Sequence, residues 1–309
     1  MKRPVTILYT GGTIGMVPGP EGLVPDPDFE QALRAALPDE PFAWRQLPDL
    51  LDSSAMAPAD WLRIRDAVCE IDGAVVVLHG TDTMAWTASA LAFLLTGHDA
   101  PVVLTGAQVP LQSGGSDAPG NVRLALEVAR FADGLALIAF GGRVLRGARA
   151  LKTHAQSFEA FSAPNDPDFD WQGATTPASV PGGDMLRVGV LRLFPGIGGA
   201  AVAAFADLPG LVIEAFGSGN LPGGAFEEAL ADARAAGQEI AIVTQCEAGH
   251  VMAETYAAGS AVARLGLIPC ADMTTPAAAT KLGWLLARGL TGMDLRHAML
   301  TPVAGEMTR

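Results

Sequence analysis

Five short runs of Val, Ile, Leu and Ala, with little polar alternation, punctuate the first half of this chain. They lie at residues 4–9, 42–47, 74–79, 101–105 and 135–140. Ala74-Val75-Val76-Val77-Leu78 has no polar position at all. A strand with one wet face alternates, whereas a strand apolar throughout is buried on both faces, as in parallel sheets covered by helices. Between the runs lie stretches of helical period at 26–37, 59–71, 83–96 and 120–132, punctuated by Asp26-Pro27, Pro38, Pro58, Asp82 and Gly97. This βαβ series predicts a doubly wound, mainly parallel sheet.

Residues 141–161 read as a hairpin and a following loop, with Arg143, Arg146, Arg149 and Lys152 clustered in an otherwise acidic chain. Residues 162–184 are rich in Pro, Gly, Asp, Ser and Thr and lack periodicity, which predicts a linker. A second series follows, with strands at 187–194, 211–216 and 239–244 and helices at 200–206, 224–236, 256–265 and 276–288. The expected organisation is an N-terminal α/β domain over 1–161, a linker over 162–184, and a smaller C-terminal α/β domain over 185–309.

Composition narrows the function classes. The net charge of −13 repels phosphate backbones and argues against a nucleic-acid partner. No apolar run reaches the roughly 18 residues of a membrane span. Met1-Lys2-Arg3-Pro4 leads directly into the first strand without the apolar core of a secretory signal. Cys69, Cys246 and Cys270 are odd in number and far apart, which fits reduced thiols in a cytoplasm.

The chemistry concentrates in two threonine-bearing loops. Thr10-Gly11-Gly12-Thr13-Ile14-Gly15 follows the first strand, and His79-Gly80-Thr81-Asp82-Thr83 follows the third. Open α/β sheets bind ligands outside the carboxyl ends of their strands. The first loop is not G-x-G-x-x-G and the chain has no G-K-[ST], so phosphate cradling is disfavoured. H-E-x-x-H, C-x-x-C and G-x-S-x-G are also absent. Thr13 either caps its turn or projects a nucleophilic hydroxyl. Asp82 either caps the following helix or holds a cationic ligand group. His79 reads as a satisfied histidine rather than a metal ligand. Asp52-Ser53-Ser54 adds a polar turn beyond the second strand. A threonine hydroxyl needs a base, and Lys152 is the candidate amine.

At these residues the chain resembles the bacterial-type L-asparaginase family, in its cytoplasmic, type I-like branch. Thr10–Gly15 resembles the motif T-G-G-T-I-[AG], and His79–Thr83 the motif H-G-T-D-T. Asp52-Ser53-Ser54 is similar to the substrate-binding turn, Lys152 to the catalytic lysine, and Phe216-Gly217-Ser218-Gly219-Asn220 to the G-x-G-N segment. The stretch from Gln245-Cys246 to Leu286 is similar to the type I-like branch. The resemblance implies that Thr13 attacks the side-chain amide of L-asparagine, ammonia leaves, and water releases aspartate from an acyl-threonine. Backbone amides near Thr13 and Thr81 would hold the oxyanion. Thr81, Asp82 and Lys152 would handle protons. Gly12, Asp52, Ser53, Ser54, Gly80, Thr81, Asp82 and Asn220 would bind substrate. No metal or cofactor is implied. A homodimer or dimer of dimers, with sites near the subunit interface, is implied as the assembly.

Two positions depart from the pattern. Leu23 stands where many members have a tyrosine ten residues after the first threonine, and Ala55 where many have aspartate. The chain has only Tyr9 and Tyr256. Glu254-Thr255-Tyr256-Ala257-Ala258-Gly259 resembles a D-Y-A-A-G segment that takes over in a subset of the family, making Tyr256 the expected replacement; a packing role is the alternative. Other expectations kept open are hydrolysis of glutamine, another small amide or a lactone, and a catalytically weak asparagine-binding protein.

Overall fold

The computed structural model describes residues 3–134, 136–172, 174, 183–252 and 261–308. The chain divides into two compact units, Met1–Gly182 and Gly183–Arg309. In the first, the strands are β1 (Val5–Tyr9), β2 (Met16–Gly19), β3 (Gly22–Pro25), β4 (Ala43–Gln46), β5 (Ala74–Leu78), β6 (Val102–Thr105), β7 (Ala136–Phe140), β8 (Arg143–Arg146), β9 (Leu151–Lys152) and β10 (Phe161–Ser162). Its helices are α1 (Phe29–Ala36), α2 (Pro58–Cys69), α3 (Met84–Leu94) and α4 (Ala118–Phe131).

The central sheet has the order β4-β1-β5-β6-β7-β8. Its first five strands are parallel, and β8 pairs antiparallel with β7. Side chains alternate across it. Ala74, Val76 and Leu78 of β5 join a core with Phe29 and Leu33 of α1 and Val122 and Leu126 of α4. Val75 and Val77 join another with Ile64 and Val68 of α2 and Met84 and Leu91 of α3. Both faces are covered, which is why β5 reads as an unbroken apolar run. Each of the Val, Ile, Leu, Phe and Met side chains among them contributes about 1.5–3 kcal/mol on burial. The mainly parallel α/β class read from the sequence is the observed one.

α3 is buried nearly all round, as a helix without a polar face must be. The tight turn Gly147–Arg149 packs on it, and the Ser89 hydroxyl donates to the Gly147 carbonyl at 3.2 Å. A Cβ at Gly147 would stand 3.0 Å from the Ala88 Cβ and 2.8 Å from the Ala136 carbonyl. This packing seats β9, and Lys152 with it. The segment expected as a linker is anchored over its first part. Ala163 is buried in the core under α2 and α3, and Phe169, Trp171 and Ala174 pack against the core under α1 and α4. Its isolated apolar residues carry no period that would have revealed this.

The second unit holds β11 (Gly189–Arg192), β12 (Gly210–Ala215), β13 (Glu239–Thr244) and β14 (Ile268–Pro269) in one parallel sheet of that order. Its helices are α5 (Ala200–Ala203), α6 (Ala225–Ala235), α7 (Ala261–Arg264), α8 (Thr275–Ala287) and α9 (Gly292–Leu300). Lys281 of α8 is fully buried. Its Nζ donates to Glu306 Oε1 at 2.5 Å, to the Thr301 carbonyl at 2.7 Å and to the Met299 carbonyl at 2.8 Å. Among the described residues, no helix is long and apolar enough to cross a membrane.

Candidate active site

Three neighbouring parallel strands, β4, β1 and β5, end in loops that close on one another. Gly11 and Gly12 have φ of +126° and +98°, conformations open to glycine at little cost. A Cβ on Gly12 would stand 2.5 Å from the Gly80 nitrogen, and one on Gly11 would collide with the Leu51 carbonyl. A Cβ on Gly80 would strike the Ser53 hydroxyl. Glycine therefore lets the Thr13, Ser53 and Thr81 loops touch backbone to backbone. The Thr10 hydroxyl, donating to the Leu78 carbonyl at 2.8 Å, pins the first loop to the end of β5.

Thr13 opens a short 3-10 turn, Thr13–Gly15, and is half-buried. Among the described residues its hydroxyl has no hydrogen-bond partner. Ser53 is buried, and its carbonyl accepts from the Thr83 hydroxyl at 2.8 Å. Asp52 Oδ1 accepts from both the amide and the hydroxyl of Ser54, each at 2.9 Å. Those two bonds, the amide first, hold the carboxyl below its usual range.

Lys152 Nζ donates to Thr81 Oγ1 at 2.9 Å and to Asp82 Oδ1 at 2.7 Å. The amine, 70 residues from Asp82 in sequence, is thus within direct proton-transfer reach of both the hydroxyl and the carboxylate. Thr81 is 8% exposed, whereas the Asp82 side chain is open to solvent. Asp82 does not cap α3: the residue flanking that helix is Thr83, which makes no side-chain cap bond. Its carboxylate accepts from Lys152 instead.

Gln108 is a further member of this cluster. It lies in the loop after β6 and was not singled out by its sequence context. Its Nε2 donates to the Ala155 and Ser157 carbonyls at 3.2 and 3.0 Å. Both amide hydrogens are thereby used, so Oε1 faces Thr81 Oγ1, at 3.3 Å. Thr81 donates to Gln108 and accepts from Lys152. Asp117 holds the Gln108 loop, accepting from the Gln108 amide at 3.0 Å and the Val109 amide at 3.0 Å. Asn121 Nδ2 donates to Asp117 at 3.0 Å. Ser116-Asp117-Ala118-Pro119 reads locally as a helix start, but no local pattern says that Asp117 turns back to the preceding loop.

Asn220 is in the second unit, in a tight turn where its amide donates to the Phe216 carbonyl at 2.9 Å. Tyr256 lies outside the described residues. Leu23 is 49% exposed on the β2–β3 hairpin. Tyr9 is a core residue stacked on Phe29 and Trp44, with burial, aided by Asp26, pushing its phenol up to about 12.

Comparison with known proteins places the chain among relatives. The family model described as "Asparaginase, N-terminal" matches residues 4–176, and "Glutaminase/Asparaginase C-terminal domain" matches residues 187–299. L-asparaginase 1 of Escherichia coli (strain K12) is 37% identical, over 99% of this chain and 98% of its own. A 60 kDa lysophospholipase of Mus musculus is 34% identical over 99% of this chain and 63% of its own. The crystal structure of L-asparaginase I from Vibrio cholerae O1 biovar eltor superposes with a TM-score of 0.86, at 33% identity and with all of both chains covered.

Proposed function

We propose that this chain, which belongs to the asparaginase family, hydrolyses the side-chain amide of L-asparagine to L-aspartate and ammonia. The observation that carries the reading is Lys152 Nζ bridging Thr81 Oγ1 and Asp82 Oδ1 at the carboxyl end of a parallel sheet, beside the glycine turn that bears Thr13. An uncommitted hydroxyl is a nucleophile in waiting; a hydroxyl–amine–carboxylate chain moves protons.

In this reading Thr13 Oγ1 attacks the amide carbon, and its proton passes by way of Tyr256 to the departing nitrogen. Backbone N–H groups of the two glycine-bearing loops hold the oxyanion. The tetrahedral adduct collapses, the C–N bond breaks, and the nitrogen leaves as ammonia with the proton it has gained. Water, deprotonated through Thr81, Lys152 and Asp82, then cleaves the acyl-threonine ester and restores the Thr13 hydroxyl. To act as a base, Lys152 must first yield a proton, and Asp82 is its immediate acceptor. Asp82 and Ser53 hold the α-amino and α-carboxylate groups of the substrate, with Gly12, Asp52, Ser54, Gly80 and Asn220 completing the binding set. Tyr256 replaces the tyrosine missing at Leu23 and activates Thr13 from a neighbouring subunit. The assembly is a homodimer or dimer of dimers, acting in the cytoplasm and needing no metal or cofactor.

The test is stoichiometric release of ammonia and aspartate from asparagine by the purified chain. Thr13→Val and Lys152→Met should each lower kcat by about 10³-fold or more, and Tyr256→Phe should lower it strongly. Normal turnover in any one of them removes that residue from the chemistry. Saturable asparagine binding without ammonia release would instead indicate a binding protein. Glutamine is the competing substrate, and kcat/KM for the two decides between them, because one methylene is worth only about 1–3 kcal/mol in a pocket.

A further inference from the structure

His79 is the one chemically versatile residue of the second loop that the proposed reaction leaves unused. It is fully buried at the end of β5, and its own amide donates to the Thr105 carbonyl at 2.8 Å. Its Nδ1 lies 2.6 Å from the Gly80 carbonyl oxygen. Its Nε2 lies 2.9 Å from the Thr87 hydroxyl and 3.2 Å from Met56 Sδ. A carbonyl can only accept, so Nδ1 carries the proton; Nε2 is then an acceptor and takes the Thr87 hydroxyl hydrogen. The ring is neutral and of one tautomer, and burial, opposed by the Gly80 bond, holds its pKa down to about 4.

The bond from Nδ1 falls on the peptide that joins Gly80 to Thr81. That peptide is planar and trans, so its C=O and N–H point in opposite directions. Drawing the Gly80 oxygen inward onto the imidazole turns the Thr81 N–H outward. Among the described residues that N–H has no acceptor, although Thr81 is 8% exposed. A buried donor left open in this way is aimed at a group that the described residues do not supply.

We infer that His79 is a positioning residue for the hydrolysis: as the neutral Nδ1–H tautomer it holds the Gly80–Thr81 peptide so that the Thr81 N–H meets the oxyanion. The inference rests on the proposed amide hydrolysis and adds to it the group that sets one oxyanion donor. Thr87 is the second member of the device: with the Nδ1 proton fixed by the Gly80 carbonyl, its hydroxyl donates to the bare Nε2 and holds the ring in place.

The experiment compares His79→Asn with His79→Gln. The asparagine amide overlays the Nδ1 side of the ring and keeps a donor for the Gly80 carbonyl. The glutamine amide overlays Nε2 and keeps only the Thr87 side. Both lose part of the buried network, so a merely structural role lowers stability and activity alike in the two. Positioning predicts instead that His79→Gln loses about tenfold or more in kcat with little change in KM, while His79→Asn stays within about threefold of the unaltered enzyme. Equal kcat values in the two folded variants overturn the inference. If neither folds, the ¹⁵N spectrum of the unaltered protein decides it. The assigned His79 ring must show protonated Nδ1 and bare Nε2, and the opposite tautomer overturns the inference. Absence of ammonia release by the unaltered chain is a separate result that removes the proposed function itself.

Discussion

A methyl group at position 12 would meet the Gly80 nitrogen at 2.5 Å, from a backbone already at φ +98°. The neighbour is backbone and cannot swing away. Gly12→Ala should therefore cost about 1–3 kcal/mol in strain and at least about tenfold in kcat, since displacements near 1 Å are that expensive in catalysis; thermal unfolding and steady-state rates read the two effects. His79 supplies a pH prediction. In the unfolded chain it takes up a proton below about 6.5; in the folded chain burial delays this to about pH 4. Its contribution is complete above pH 6.5 and is lost as the pH falls toward 4, about 3 kcal/mol in all. Urea unfolding between pH 7 and 4 should show a shallower loss in His79→Asn than in the unaltered chain. At this scale the sequence was legible where a motif singles out its residue, as for Thr81, Asp82 and Lys152, whose side chains are joined by hydrogen bonds. Gln108 was illegible because its role depends on two carbonyls, of Ala155 and Ser157, that no local pattern brings to it.

Among the elements, the buried strands declared themselves. The runs at 74–79 and 101–105 became β5 and β6 within a residue at each end, because a strand covered on both faces has no other way to be written. The β2–β3 hairpin was missed, since its strands are four residues each, carry Pro18, Gly19, Gly22 and Pro25, and β3 is exposed along its length. β14, two residues long, offered no period either. The seat of Lys152 gives the prediction at this level. Gly147→Ala should push the β8–β9 turn off α3, losing about 1–3 kcal/mol of stability and lowering kcat through Lys152. Adding Ala88→Gly removes one of the three close neighbouring atoms and should restore part of the loss. Strict additivity of the two changes in a double-mutant cycle would show that the turn does not bear on α3 in this way.

For the molecule as a whole, each unit has its own sheet and its own core. In the second unit, Glu306 accepts not only from Lys281 but also from the Val303 and Ala304 amides. Glu306→Ala leaves a buried ammonium without its carboxylate and should cost about 3–5 kcal/mol, whereas replacing both partners by apolar residues should cost far less; denaturant midpoints of the single and double variants measure the difference. That pair was beyond sequence reasoning, because a lysine amid the Ala and Leu of α8 looks like a solvated position. The glycine floor under Thr13 and Thr81 has a different consequence. With backbone packed on backbone, no substitution can reshape the floor without displacing the reacting groups. Any lineage that drifts toward another amide must do so at the exposed rim, at positions such as Ser54 and Ala55. Substrate preference can therefore be retuned at that rim while the backbone floor holds its geometry.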